Sequence, residues 1–169
     1  PGNILLVHRL VNLGLLQPDV NVIWDLAPHD MAILNYLFDE RPVSLQAFGS
    51  CYIQKKHTEV AHLIINYKKG ITAHIHLSWL SPVKIRTIGI VGSRKMLVYN
   101  DIEPSEKIRI YDKGVDISPS SVTPFTPAYR SGDILIPHLG SEEALYRELQ
   151  HCVDCIRQNK KPLTGGEED

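Results

Sequence analysis

One segment of this sequence places a carboxylate and an imidazole at a spacing that could support proton transfer. Asp25 and His29 are four positions apart, and in an α-helix residues at that spacing lie on one face, one turn above the other. A nearby carboxylate orients an imidazole and favours its protonated form, whereas a helix N-terminus favours the neutral form. These opposing effects would poise His29 to exchange a proton near neutral pH, as a general acid or base requires.

A purely structural interpretation of the same pair stays open at this point. Asp25 is a good helix N-cap, and a partly buried histidine often does no more than complete a hydrogen bond. From the spacing alone, this structural interpretation is the stronger of the two.

Two other groups have spacings that metal or redox sites use. His74 and His76 lie two positions apart on a predicted strand, but no Cys, Asp or Glu nearby completes a ligand set, so we predict a polar sheet face and no metal site. Cys152 and Cys155 have the spacing of a redox or zinc half-site. Because they lie inside a predicted amphipathic helix and Cys51 is the only other cysteine, we expect core or boundary cysteines.

A predicted helix must position Asp25 and His29. Asp25 would cap it, Pro28 would lie in its first turn, and Pro42 would end it. We predict a short extended run at residues 20–24 before this helix. Period-two patterns then predict strands at residues 4–10, 43–49, 60–67, 71–79, 85–91, 95–99 and 107–111.

Residues 71–79 alternate cleanly between two faces. One face would carry Ile71, Ala73, Ile75, Leu77 and Trp79, and the other would carry Thr72, His74, His76 and Ser78. Such alternation is typical of a sheet that packs on one side only.

The remaining segments predict a loop and a second helix. Residues 118–132 are rich in Pro, Ser and Thr and predict a long surface loop. Ser141 would cap a helix that ends at Pro162, with an apolar stripe formed by Leu145, Leu149, Cys152, Val153 and Ile156. The element order predicts one α+β domain over residues 1–169, with an open, mainly antiparallel sheet covered by helices on one face.

Composition excludes several classes of protein. Hydrophobic residues make up 43% and charged residues 22% of the 169 residues, which excludes a disordered chain, a collagen and a coiled coil. With 18 Lys and Arg against 19 Asp and Glu, no basic surplus indicates a nucleic-acid or membrane partner. Three cysteines cannot pair completely, so a cytoplasmic location is predicted.

Residues 21–30 resemble the helix-opening motif of the Gfo/Idh/MocA family of NAD(P)-dependent oxidoreductases, whose C-terminal domain carries D-x-x-x-H. The likeness continues through residues 4–14, 76–86 and 129–137 and ends with the helix of residues 145–162. Several separated motifs in the same order therefore cover nearly the whole chain. Within the family, the sequence is most similar to the sugar-nucleotide 3-dehydrogenases.

The resemblance implies roles for specific residues. Asp25 and His29 match the family's catalytic aspartate and histidine, with His29 the proton carrier. Arg9 and Asn12 end a strand that reaches toward the substrate cleft in the family, and Trp24 stands beside Asp25. We expect these three residues to contact a sugar or sugar-nucleotide substrate, together with Tyr129 and Arg130, which could touch an anionic nucleotide moiety, as could Lys84 and Arg86.

The resemblance also implies that the family's N-terminal domain is missing from this sequence. Family members bind NAD or NADP in an N-terminal Rossmann domain that supplies a catalytic lysine, and neither G-x-G-x-x-G nor E-K-P occurs here. The chain begins Pro1-Gly2 without methionine, so we expect a fragment that also lacks the family's last helix and is inactive alone.

Two alternatives remain. The chain could be a noncatalytic sheet domain for oligomerisation or sugar binding, or a family member acting on a free polyol or monosaccharide. In each case we expect a homo-oligomer formed through the open sheet face that carries Thr72, His74, His76 and Ser78.

Overall fold

The structure is a computed structural model and describes residues 5–13, 16–38, 40–118, 126–140 and 142–163. The strands in this part of the chain form one eight-stranded sheet. In chain order the elements are β1 (Leu5–Leu13), α1 (Val22–Phe38), β2 (Ser44–Ser50), β3 (Val60–Asn66), β4 (Thr72–Ser78), β5 (Leu80–Val91), β6 (Met96–Asn100), β7 (Ile108–Ser118), β8 (Thr126–Leu135) and α2 (Ala144–Gln158).

The strands follow the order β2-β3-β4-β1-β5-β6-β7-β8. Strand β1 runs parallel to β4, and the other neighbouring pairs are antiparallel. The insertion of β1 between β4 and β5 therefore interrupts an otherwise sequential meander. The α+β fold with an open, mainly antiparallel sheet is confirmed, although seven strands follow α1 where the sequence predicted five or six.

The core lies between α1 and the central strands. Val22, Ala27 and Leu34 of the helix are buried against β3 and β4. The predicted alternation in residues 71–79 is confirmed, because all five residues assigned to the inner face are buried: Ile71, Ala73, Ile75, Leu77 and Trp79. This packing fixes α1 to the sheet and with it the helix face that carries Asp25 and His29.

The first helix begins earlier than its sequence predicted. Asn21, not Asp25, caps it, since the Asn21 Oδ1 atom accepts the backbone N–H groups of Ile23 at 3.0 Å and Trp24 at 3.1 Å. The predicted extended run is therefore wrong for residues 22–24. Pro28 consequently lies inside the helix and cannot donate a hydrogen bond to the carbonyl of Trp24.

The predicted surface loop over residues 118–132 is wrong where the structure describes it. Residues 126–132 belong to β8, which pairs with β7, whereas residues 119–125 lie outside the described part. Strand β8 lies at the sheet edge, where a residue without an N–H, such as Pro127, is tolerated. Gly132 allows β8 to approach β7 closely, because a Cβ atom at this position would lie only 2.8 Å from the Asp112 carbonyl oxygen.

Helix α2 differs from its prediction at its start and in its packing. It begins at Ala144, and the N-cap residue Glu143 makes no side-chain capping bond; the predicted cap, Ser141, lies outside the described residues. Asn159 ends the helix in the left-handed conformation, with φ of 50°. The apolar stripe is exposed at Leu145, Leu149, Val153 and Ile156, and so is Cys152, whereas Cys155 is buried. The expectation of core or boundary cysteines is therefore wrong for Cys152 and confirmed for Cys155.

Candidate functional site

Asp25 is tied to the sheet by a buried tryptophan. Its Oδ2 atom accepts a hydrogen bond of 2.8 Å from the indole N–H of Trp79, whose side chain is 1% exposed. Trp79 lies between β4 and β5, so the bond joins the first turns of α1 to the centre of the sheet. A hydrogen bond to a fixed, buried donor holds the Asp25 carboxylate in one orientation.

His29 lies one turn further along α1 and opens onto a cavity. The cavity has a volume of about 430 Å³ and is lined by His29, Asp30, Ile33, Arg86, Ile88, Tyr99, Asp101 and Ala144. The described hydrogen bond to Asp25 comes from Trp79, not from His29. The pair therefore shares a helix face, as the spacing predicted, but the carboxylate is oriented by the sheet.

Three polar residues line this cavity on the side of the sheet, namely Arg86, Tyr99 and Asp101. We call them the polar cluster. The Tyr99 hydroxyl donates to Asp101 Oδ1 at 2.8 Å. The Arg86 Nη1 atom lies 3.5 Å from Asp101 Oδ2, and the Asp101 backbone N–H donates to the Arg86 carbonyl at 2.9 Å. Residues of β5 and β6 therefore hold both the side chain and the backbone of Asp101 in place.

The polar cluster keeps its members in defined protonation states. Partial burial and the hydrogen bond to Asp101 raise the pKa of Tyr99 to about 12. The hydrogen bond from Tyr99 and the neighbouring Arg86 lower the pKa of Asp101 below its ordinary value, although partial burial opposes them. At neutral pH the cavity wall therefore carries an ionised carboxylate and a protonated phenol.

Two of the other predicted substrate residues are exposed. Trp24 is 75% exposed and Tyr129 is 84% exposed. Arg9 pairs through its backbone with His76 of β4 and Thr87 of β5, and Asn12 lies near the end of β1; the side chains of Arg9 and Asn12 fall outside the described part.

Arg130 belongs to a second cavity, between the β5–β6 turn and β8. This cavity is lined by Gly92, Ser93, Arg94, Lys95, Asp112 and Arg130. Arg130 forms an ion pair with Asp112 and donates to the Arg94 carbonyl. Of the predicted site residues whose side chains the structure describes, His29 and Arg86 line the cavity at α1.

Sequence reasoning missed three members of the site. Tyr99 and Asp101 carry no local motif, and Trp79, although it lies in the resembling segment 76–86, is 54 positions from Asp25. Arg86 was predicted, together with Lys84, as a possible contact to an anionic nucleotide moiety, and the structure places it in the cavity wall. The signal that could have found Trp79 is its place on the inner face of a cleanly alternating strand, where an indole N–H needs a partner.

A metal site is not formed by the described residues, where no group of three or more His, Cys, Asp or Glu side chains could hold an ion. Within the same residues, no helix is long and apolar enough to cross a membrane.

A dinucleotide does not fit the described residues of this chain. Asn21 already accepts two of the backbone N–H groups at the N-terminus of α1, and no G-x-G-x-x-G turn precedes either helix. A nicotinamide cofactor would therefore need other residues to hold its phosphates.

Comparison with protein families shows what one segment of the chain is similar to. Residues 17–98, which contain α1, the Asp25–Trp79 bond and Arg86, match the model of the GFO/IDH/MocA C-terminal domain. This segment, which is just under half of the chain, is similar to that domain. No curated protein matches the chain significantly.

Solved structures of oxidoreductases share the fold over almost the whole chain. UDP-N-acetylglucosamine 3-dehydrogenase GnnA from Acidithiobacillus ferrooxidans superposes with a TM-score of 0.75 at 18% identity, over 97% of this chain and 48% of that one. Aldose-aldose oxidoreductase from Caulobacter crescentus, complexed with glycerol, gives 0.71 at 16% identity over 99% and 49%. The WlbA dehydrogenase from Bordetella pertussis, in complex with NADH and UDP-GlcNAcA, gives 0.60 at 14% identity over 98% and 49%. The chain therefore spans about half the length of these structures.

Proposed function

We propose that this chain is the substrate domain of an NAD(P)-dependent oxidoreductase that moves a hydride between a hydroxyl-bearing carbon of a sugar or sugar nucleotide and nicotinamide. The observation that carries the proposal is the placement of His29, on a helix face shared with a sheet-anchored Asp25, at a cavity of sugar size in a segment that matches the GFO/IDH/MocA C-terminal domain.

In the proposed reaction, His29 accepts the proton of the substrate hydroxyl as the carbon is oxidised. Asp25, held by the Trp79 N–H, supplies a fixed carboxylate one turn away from the imidazole that receives the proton. When bound in the complete protein, nicotinamide supplies the hydride acceptor. Since the described residues form no cradle for it, the chain would be inactive alone.

The substrate class rests on the neighbours and on the cavity. The printed descriptions of the similar structures include a UDP-sugar dehydrogenase, a dehydrogenase with UDP-GlcNAcA and an aldose oxidoreductase with glycerol. All three descriptions involve polyhydroxylated compounds. They support a sugar substrate, either nucleotide-linked or, as a second possibility, a free monosaccharide or polyol.

Exchange of His29 in the complete protein tests this proposal. We expect His29→Asn to lower kcat by about 10²- to 10⁴-fold, the usual contribution of general acid–base catalysis, and to remove the acidic limb of the pH–rate profile. The matched control is His138→Asn, an exposed histidine outside the His29 cavity, which should leave both unchanged. An unaltered pH–rate profile in His29→Asn would contradict the proposal.

A noncatalytic domain for sugar binding or oligomerisation is the second candidate. It is favoured by one observation, namely that the described residues form no dinucleotide cradle. It predicts sugar binding with no turnover in any protein that contains this domain.

We further propose a homo-oligomer formed through the sheet face opposite α1 and a cytoplasmic location. The location is supported by the three cysteines, none of which forms a disulfide.

A further inference from the structure

The polar cluster faces the same cavity as His29, but from the opposite side. His29 belongs to α1, whereas Arg86 lies on β5, Tyr99 on β6 and Asp101 directly after β6. The cavity thus has a helix wall with a candidate proton acceptor and a sheet wall with fixed donors and acceptors. A molecule that touches His29 can also reach the sheet wall.

Asp101 keeps acceptor capacity in this cluster. Each of its carboxylate oxygens has one described partner, Tyr99 for Oδ1 and Arg86 for Oδ2, and a carboxylate oxygen can accept two hydrogen bonds. Its side chain remains 38% exposed. The carboxylate is therefore held in place and can still accept a hydrogen bond from a ligand hydroxyl.

The charges around the cavity distinguish between ligands. Asp101 is the partly exposed carboxylate of the cavity's described lining, and the one guanidinium there, Arg86, already pairs with Asp101. A phosphate or a uronate carboxylate placed here would meet the Asp101 carboxylate at short range, which is unfavourable. A neutral ring with several hydroxyl groups would instead donate to it.

We propose that the His29 cavity holds the neutral, polyhydroxylated ring of the substrate and that Asp101 determines specificity by accepting a hydrogen bond from a ring hydroxyl. Tyr99 and Arg86 are positioning residues that hold the carboxylate. The inference rests on the proposed function for the role of His29 and adds the ring specificity. An anionic portion of a larger substrate would then lie outside this cavity.

The test is equilibrium binding to the complete protein, with glucose and glucuronate as neutral and anionic probes. Wild-type protein should bind glucose more tightly than glucuronate. Asp101→Asn should weaken glucose binding by about tenfold, the loss typical of one hydrogen bond to a charged group, and should reduce the discrimination against glucuronate. Glu106→Gln, in the exposed Arg109–Glu106 ion pair, is the control and should change neither.

Tyr99→Phe gives a second variant that keeps the carboxylate. Because the Tyr99 hydroxyl lowers the pKa of Asp101, its removal raises that pKa, and the loss of glucose binding at acid pH should begin at a higher pH. A purely structural role of Tyr99 would not move this limb. Thermal unfolding of both variants verifies that they are folded.

The outcomes separate the inference from the proposed function. Folded Asp101→Asn protein that binds both probes as wild type does overturns the inference, as does wild-type protein that binds no glucose or prefers glucuronate. If His29→Asn abolishes turnover while Asp101→Asn changes nothing, the proposed function stands and the inference falls. If Asp101→Asn loses glucose binding while His29→Asn keeps full turnover, the ring site stands and the proposed function falls.

Discussion

Glu59 is a buried carboxylate that organises the loop preceding β3. Its Oε2 accepts the backbone N–H groups of Tyr52 and Ile53, each at 2.7 Å, and its Oε1 accepts that of Gln54 at 2.6 Å. The same residue's carbonyl accepts the N–H of Trp79 at 3.0 Å. Glu59 is thus linked through Trp79 to the Asp25 carboxylate, although it lies outside the site.

Burial alone would raise the pKa of Glu59, but the three backbone donors outweigh it and lower the pKa below its ordinary value of 4.5. Since the folded-state pKa is the lower one, ionised Glu59 stabilises the fold fully above the unfolded-state pKa and loses this contribution as pH falls through the folded-state pKa.

Glu59→Gln tests this contribution. A glutamine amide presents a donor where the loop offers only N–H groups, so we expect a lower unfolding free energy at pH 7, measured by urea denaturation. The difference from wild type should shrink as pH falls below about 4.5. Glu142→Gln, in an exposed pair with Arg147, should behave like wild type at every pH. A difference that persists undiminished at low pH would show that the carboxylate charge is not its cause.

The two helices differ in how they use their apolar residues. Leu34 of α1 is 2% exposed and packs in the core, whereas Leu149 of α2 is 60% exposed. The sequence predicts an amphipathic helix in both cases. Only α1 is anchored by burial against the described sheet.

The same substitution in both helices measures this difference. We expect Leu34→Ala to lower the unfolding free energy of the chain by about 2–5 kcal/mol, because it leaves a cavity in the core. Leu149→Ala should change it by less than about 0.5 kcal/mol, as is usual for exposed positions. Equal losses in urea denaturation would show that α2 packs more firmly than its exposure indicates.

Local periodicity was sufficient for some elements and insufficient for others. The strand around Ile75 was predictable because alternation and burial coincide there. The start of α1 was not, since Asn21 and Asp25 are both good caps and only the hydrogen bonds to Ile23 and Trp24 decide between them. Strand β8 was missed because it contains Pro127 and Gly132, and both residue types are unfavourable in central strands, whereas Pro is tolerated in an edge strand.

The site was predictable only on the helix side. Asp25 and His29 share a helix turn, so their spacing brought them together. The contacts of Asp25 with Trp79 and of Tyr99 with Asp101 depend on which strands lie beneath the helix and on how they pair. The parallel insertion of β1 between β4 and β5 determines that arrangement, and periodicity along the chain carries no signal for it.

At the scale of the whole molecule, the sheet has two different faces. The face opposite α1, which we call the open face, carries His62 and His76 as a stacked pair with ring centroids 4.4 Å apart, next to an exposed His74. Thr72 donates to Asn66 there at 3.1 Å. Ser78, which the sequence placed on this face, is buried, and its Oγ accepts the N–H of Leu80.

The proposed oligomer would place a second copy against the open face. Flat rows of imidazole, hydroxyl and amide groups on paired strands can contact their own symmetry-related copies, as a two-fold interface requires. In the complete protein we expect sedimentation equilibrium at micromolar concentration to give a dimer or a larger oligomer. His74→Glu, which puts a carboxylate into that interface on each copy, should shift the equilibrium to monomer because like charges would be desolvated face to face. Lys68→Glu changes an exposed charge in the β3–β4 turn and should leave the mass unchanged. A monomeric wild-type protein, or an oligomer that His74→Glu does not disturb, would show that the open face is not the interface.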